Sequence, residues 1–312
     1  MMGLKTPVAF LVFNRPDTTT QVFAAIRAAQ PETLLLVADG PRPERLGETD
    51  ACARVRKIIG QVDWPCRVMQ NYSDVNLGCK ARVSSGLDWV FDQVEEAIVL
   101  EDDCLPHPDF FPFCQRMLDR YRHDERVMMI GGTNYLQDRL HIPESYLFSR
   151  YFAIWGWASW RRAWRHYDLT MKAWPRFRSE GQLAGFYADS YMKRHMTVVF
   201  DDAFNGRVST WDTQWFFACL CNNGVSIVPR RNMISNIGTT GAHSDGCSAN
   251  NFFPLFPSDP EPLVHPDHLF PNQLYDRRFF VEQFKTNAGK MAASMGRLVR
   301  RRLSRLAGGK RL

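Results

Sequence analysis

None of the eight cysteines (Cys52, Cys66, Cys79, Cys104, Cys114, Cys219, Cys221, Cys247) forms a C-x-x-C pair, so the spacing of a zinc ribbon is missing. Scattered along 312 residues, they read as free, mostly buried thiols of a reducing compartment. No stretch approaches the roughly 18 apolar residues of a membrane span. The run Val8–Phe13 after Met1–Lys5 is short and lacks a cleavage-type site, so it reads as a first strand and not a signal peptide. G-x-x-x-x-G-K-[ST] and H-E-x-x-H are both absent, as is any internal repeat. Acids are absent from Gln283 to Leu312, which holds nine Lys or Arg; the remainder carries 30 basic against 33 acidic residues. A mildly acidic body with a basic tail does not support nucleic-acid binding by the body. These absences describe a cytosolic α/β protein, and at 45% hydrophobic residues a sizeable core is available to it.

What the chain does have is centred on Ala97–Phe111, A-I-V-L-E-D-D-C-L-P-H-P-D-F-F. Ala97–Leu100 is too short for a helix and suits a buried parallel strand. Glu101, Asp102 and Asp103 follow directly. Three adjacent carboxylates at a buried strand end repel one another, an arrangement usually kept where a cation offsets the charge. Oxygen-only donors suit Mg²⁺ or Mn²⁺, which bind phosphate oxygens in turn. The bland alternative is a solvated acidic loop. Pro108 and Asp109 look like the first turn of a helix, with His107 at the cap.

Strands are expected at Pro7–Phe13, Leu34–Ala38 and Cys66–Gln70, and helices from Pro16 to Ala29, Glu48–Gly60 and Lys80–Val94. This alternation predicts a mostly parallel sheet sandwiched by helices. Ligands of such sheets bind outside the carboxyl ends of the strands, which brings Arg15, Asp39 and the acidic triplet to one cleft.

Beyond Val127–Ile130 the pattern loosens. Tyr151–Trp164, Y-F-A-I-W-G-W-A-S-W-R-R-A-W, is either core or a binding surface, and Gly156 between two tryptophans argues for a turn. Trp155 and Trp157 are therefore expected on a binding face. Ser209–Gly224 is helix-like, with Asp212 near its start either as a first-turn acid or as a functional carboxylate. Val225–Val228 is a strand. Asn236–Gly246 is a loop whose His243 is by itself more often solvated than a ligand. Prolines between Asn251 and Pro271 suggest an extended wrapping segment. The basic end reads as a solubilising tail or an anchor to an anionic membrane surface, placing the protein in the cytoplasm or at the inner face of the membrane.

V-L-E-D-D followed by P-D-F-F resembles the metal-binding motif of the N-acetylglucosaminyltransferase I family of GT-A glycosyltransferases. P-V-A-F-L-V-F-N-R-P, A-D-G and C-K-A-R-V-S-S-G-L-D-W resemble that family's nucleotide-binding half. I-W-G-W-A-S-W and W-D-T-Q-W resemble its acceptor-side and base-bearing elements. The likeness covers residues 7–135 well and 150–245 in patches. It implies a GT-A, Rossmann-like fold whose C-terminal portion faces the acceptor. It also implies Asp103 as the metal ligand for Mn²⁺ or Mg²⁺, with Glu101, Asp102 and Lys80 at the nucleotide-sugar. Arg15 and Asp39 would lie at the uridine end, His243 near the diphosphate, Trp155 and Trp157 on the acceptor side, and Asp212 would be the base. The family has two consecutive acids where this chain has Asp212-Thr213.

The expected organisation is a GT-A domain over 1–282 and a basic tail over 283–312. Within the domain, 1–135 bind the nucleotide-sugar, 136–250 form the acceptor and catalytic half, and 251–282 wrap. The expected activity is inverting transfer from a UDP-sugar to a carbohydrate or glycolipid hydroxyl. That chemistry needs a cation for the departing diphosphate and one carboxylate for the acceptor proton. The alternatives are a nucleotidyltransferase, though the Gly-rich basic N-terminal loop is missing, and a catalytically silent nucleotide- or carbohydrate-binding protein.

Overall fold

Val8–Val12 (β1) and Thr33–Ala38 (β2) are apolar almost throughout, and such strands need cover on both faces. The computed structural model, which describes residues 3–238 and 254–285, shows that cover. Helix α1 (Pro16–Ala29) joins β1 to β2. Helix α2 (Glu48–Ile59) leads to β3 (Arg67–Tyr72), and α3 (Gly78–Gln93) leads to β4 (Glu96–Glu101). These four strands pair in parallel in the order β3-β2-β1-β4. The strand-helix alternation is as expected, with boundaries moved by one or two residues.

After β4 the chain forms β5 (Cys104–Pro106), α4 (Phe110–Arg120), β6 (Val127–Gly131), β7 (Tyr146–Ser149) and β8 (Trp157–Trp160). Helices α5 (Arg161–Trp164), α6 (Trp174–Ser179), α7 (Ser190–Phe204) and α8 (Asp212–Cys221) follow, then β9 (Val225–Pro229) and β10 (Ile234–Asn236). The sheet continues from β4 through β8, β6, β9 and β7. Here β8 and β7 run antiparallel to their neighbours, and β6 and β9 are parallel to each other. The result is an eight-stranded, mostly parallel α/β sheet of Rossmann-like type, with β5 and β10 paired separately. Helix α4 begins at Phe110 with Asp109 in the N-cap position, two residues later than expected. His107 precedes the cap, and its Nδ1 accepts the Asp109 N–H at 3.2 Å.

Alternate strand residues enter two cores. Val8, Phe10, Leu34, Leu36, Ile98 and Leu100 pack with α1, α2 and α4. Ala9, Leu11, Leu35, Val37, Ala97 and Val99 pack with α3, α5 and α8. The described part of the proline-rich segment, 254–271, forms no helix and hydrogen-bonds to the loops around Asn232 and Ser145. Ser145 N–H donates to the Val264 carbonyl at 2.8 Å, and Phe256 N–H donates to the Asn232 carbonyl at 2.9 Å.

The chain divides into two compact units at Pro271/Asn272. In the second, α9 (Gln273–Phe280) is a helix where the wrapping segment was expected to run on to 282; the Asn272 side chain caps it through the Tyr275 N–H at 2.9 Å. The rest of the basic tail lies outside the described residues. No described helix is long and apolar enough to cross a membrane.

Trp157 departs from expectation. W-A-S-W is strand β8, between β4 and β6, and Trp157 is 0% exposed. Its ring centroid lies 6.0 Å from those of Trp211 and Trp215 and 6.2 Å from that of Trp164. Gly156 does make the expected turn, at φ +57°, and a Cβ there would lie 2.3 Å from Ile234 Cδ1. The turn aims Trp157 into the core because strand alternation resumes directly after it.

Two loops are tied together by Glu48. It accepts from Asn14 Nδ2 at 2.9 Å, from the Arg42 backbone N–H at 2.7 Å and from Arg42 Nη2 at 2.5 Å. The Arg42 hydrogen bonds hold its carboxyl down at about 2, although burial opposes them.

Two outcomes are expected. Trp157→Ala should cost about 3–5 kcal/mol in chemical denaturation and Trp155→Ala much less; equal losses would contradict the core assignment. The depressed Glu48 pKa contributes stability above the unfolded carboxyl pKa, lost as pH falls toward about 2. The Tm difference between wild type and Glu48→Gln should therefore be largest above about pH 5 and shrink on acidification. A difference independent of pH would refute the role given to Glu48.

Candidate functional site

Register places three strand ends in line. Leu11 of β1 pairs with Glu101 of β4, and Val12 pairs with Ala38 of β2. The loops bearing Arg15, Asp39 and the acidic triplet therefore leave the sheet together, and all three border one cavity of about 1090 Å³. The segment from Val208 to Thr213, leading into α8, borders it as well. The three strand ends that the sequence placed at one cleft do border one cavity.

The acids are ordered by Arg15. Its Nη1 donates to Asp102 Oδ1 at 3.1 Å and to Asp103 Oδ2 at 2.6 Å. Burial works against the Arg15 charge, but the two aspartates more than offset it, so its pKa is raised. Asp102 Oδ2 also accepts the Phe13 N–H at 3.1 Å, pinning β4's exit to β1's. Burial pushes Asp102 up to about 6, with Arg15 pulling the other way. Burial, then the charges of Asp103, Asp102 and Asp212, push Glu101 up to about 8.

The β5–β10 pairing brings a distant segment onto the acids. Ile237 N–H donates to the Asp103 carbonyl at 2.8 Å, and a Cβ on Gly238 would lie 2.5 Å from Asp103 Oδ2. Asn236 and Gly238 border the cavity. His243 lies outside the described residues.

Asp39 is occupied by the fold. Its Oδ1 accepts the N–H groups of Gly40 and Leu77, each at 2.9 Å, and its Oδ2 accepts Gly78 N–H and Asn76 Nδ2, each at 3.1 Å. Leu77 and Gly78 open α3, so Asp39 caps from another loop donors that the helix itself leaves unpaired. Gly40 permits the approach, since a Cβ there would lie 2.5 Å from Val75 backbone.

Asp212 sits in the first turn of α8, the bland placement anticipated, and also borders the cavity. Its Oδ1 accepts the Thr210 hydroxyl, the Thr213 N–H at 2.7 Å and the Thr213 hydroxyl at 3.5 Å. Among the described residues Oδ2 has no hydrogen-bond donor. Trp155 borders the cavity, its ring 5.4 Å from that of Tyr135. Lys80 is half-buried on α3, but the cavity-lining residues of that stretch are Gly78, Cys79, Arg82 and Val83.

Sequence reasoning missed Arg42, Arg45, Asn76 and Thr210 at the cavity. For Arg42, Arg45 and Thr210 the signals were present: D-G-P-R-P-E-R places two arginines directly after a strand end, and S-T-W-D sets a hydroxyl two residues before the acid.

Among the described residues no three Asp, Glu, His or Cys side chains converge on one metal position. Mg²⁺ and Mn²⁺ sites at phosphates need fewer: one or two carboxylates, with water and phosphate oxygens completing the shell. The oxygen-only set beside Asp103, with more acids than Arg15 balances, fits that mode.

No protein-family model matches the chain, and no curated protein matches it. Some solved structures align with parts of the chain. An apo UDP-glucose pyrophosphorylase aligns over 74% of this chain and 93% of its own at 8% identity and TM-score 0.33. The 4-diphosphocytidyl-2C-methyl-D-erythritol synthase of Anaerococcus prevotii aligns over 60% and 84% at 10% identity and TM-score 0.32. The inositol-1-phosphate CTP transferase of T. maritima aligns over 53% and 74% at 12% identity and TM-score 0.29. All three TM-scores lie below 0.5, so the α/β assignment rests on the strand order described above.

Proposed function

We propose that the cavity binds a nucleotide-diphospho-sugar, with UDP as the expected nucleotide, and transfers the sugar to an acceptor hydroxyl with inversion. The observation that carries this reading is the meeting of two carboxylate sets from distant parts of the chain. Glu101, Asp102 and Asp103 leave β4, and Asp212 opens α8, at one cavity. Inverting displacement needs that division: one set faces the leaving group and a separate base faces the nucleophile.

Asp212 Oδ2 takes the acceptor proton while the hydroxyl oxygen bonds to the anomeric carbon. The bond from that carbon to the diphosphate breaks, and the electron pair leaves with the nucleoside diphosphate. Asp103 would hold Mn²⁺ or Mg²⁺, which when bound neutralises the diphosphate as a Lewis acid. Asp102 fixes Arg15 beside it. Trp155 offers a flat face to an acceptor sugar.

Nucleotidyl transfer at the same carboxylates is the second reading. The enzymes named by the similar structures do not decide between the two, given their TM-scores. The glycine-free loop Phe13-Asn14-Arg15 after β1 and the separate Asp212 favour sugar transfer.

The test is product analysis with a panel of UDP-sugars, Mn²⁺ and carbohydrate or glycolipid acceptors, run beside UTP with Mn²⁺ and a panel of sugar phosphates. Sugar transfer releases UDP; nucleotidyl transfer from UTP and a sugar phosphate releases pyrophosphate instead. Asp212→Asn should lower kcat by about 10²–10⁴-fold with UDP binding retained. Thr210→Val, which removes one hydrogen bond to the base, should lower kcat more modestly. Pyrophosphate as the product would establish the second reading, and nucleotide binding without turnover on any acceptor would leave a binding protein.

A further inference from the structure

Asn76 stands at the cavity with its amide orientation forced. Its Nδ2 lies 3.1 Å from Asp39 Oδ2 and 2.8 Å from the Gly40 carbonyl, and both of those atoms accept only. The nitrogen must face them, and each of its two hydrogens is committed. The remaining polar atom, Oδ1, has no donor among the described residues. It is an acceptor held in a fixed orientation on a cavity-lining residue.

Asp39, the residue expected at the uridine end, is in the opposite condition. A carboxylate offers about four lone-pair sites, and four donors already occupy them. A further ligand N–H would have to displace a helix-capping bond.

Position also fits. The strand order β2-β1-β4 separates the Asp39–Asn76 clasp from the acids by two strand spacings, about 10 Å. That is the scale of a ribose and base extended from a phosphate. Between them, Leu11, Val37 and Val83 give the cavity apolar wall, suited to the faces of a flat ring.

We infer that Asn76, and not Asp39, reads the nucleobase of the donor, through an acceptor that selects a base edge presenting a ring N–H. The inference rests on the proposed nucleotide-sugar reading and extends it to the base. Uracil presents N3–H to such an acceptor, and guanine presents N1–H. The corresponding ring nitrogen of cytosine or adenine presents a lone pair, which repels it. An acceptor left facing a lone pair loses its bond and stays desolvated, the situation in which analogues are rejected most strongly.

The experiment is calorimetry of the full chain with Mn²⁺ and, in turn, UDP, GDP, CDP, ADP and N3-methyl-UDP. Wild type should bind UDP or GDP at least tenfold more tightly than CDP and ADP. If the preferred nucleotide is UDP, the N3-methyl analogue should bind as weakly as CDP. Asn76→Ala should erase the preference by weakening the favoured nucleotide to the level of the others. General damage to the loop would weaken all of them alike, and Asn76→Ser supplies a second variant should the alanine form fail to fold. Equal affinities in wild type would overturn this inference while leaving the nucleotide-sugar reading intact. A preference surviving in both variants would also overturn it, because another group would then be reading the base. Failure of every nucleotide to bind would overturn the proposed function, and this inference with it.

Discussion

The site depends on like charge held together at the end of one strand. Glu101, Asp102 and Asp103 leave β4 consecutively, and Asp39 and Asp212 bring two further carboxyls to the same cavity. Arg15 bridges two of them, and burial together with the neighbouring acids raises the Glu101 pKa. Acids packed this closely, with an arginine recruited to hold their shape, are not what stability alone selects. It makes physical sense where a cation and a polyanionic ligand complete it.

The surroundings serve the same edge. The capping of α3 by Asp39, the Glu48 tie between Asn14 and Arg42, and the Asp102 bond to the Phe13 N–H each join two strand-exit loops. Glycine appears where these loops press closest, at Gly40 against Val75 and at Gly238 against Asp103. The rigidity of this edge thus comes from hydrogen bonds among loops, anchored on strands whose register is fixed by burial on both faces.

Much of this was legible in the sequence. Apolar runs ending in Asn-Arg-Pro, Asp-Gly and Glu-Asp-Asp marked the parallel strands and the edge where their polar residues meet. What was not legible depended on contacts between distant segments. Trp157 looked like a ligand-facing ring because its flanking Gly156 signals a turn, yet its burial is set by β8 inserting between β4 and β6. Asp39 was placed at the uridine end by the family resemblance; its four donors come from its own loop, from Asn76 and from the start of α3. Asn76 carried no signal, since its acceptor, without a donor among the described residues, is oriented only because Asp39 and Gly40 take its nitrogen.

The central claim is that Asp103 and a nucleoside diphosphate together make a divalent-cation site. Electron paramagnetic resonance of free Mn²⁺ tests it most directly. The free-ion sextet should persist with protein alone at low micromolar Mn²⁺, collapse when UDP is added, and return when Asp103→Ala replaces wild type. A sextet that UDP leaves unchanged in the wild-type protein, or that collapses equally with Asp103→Ala, would contradict the account.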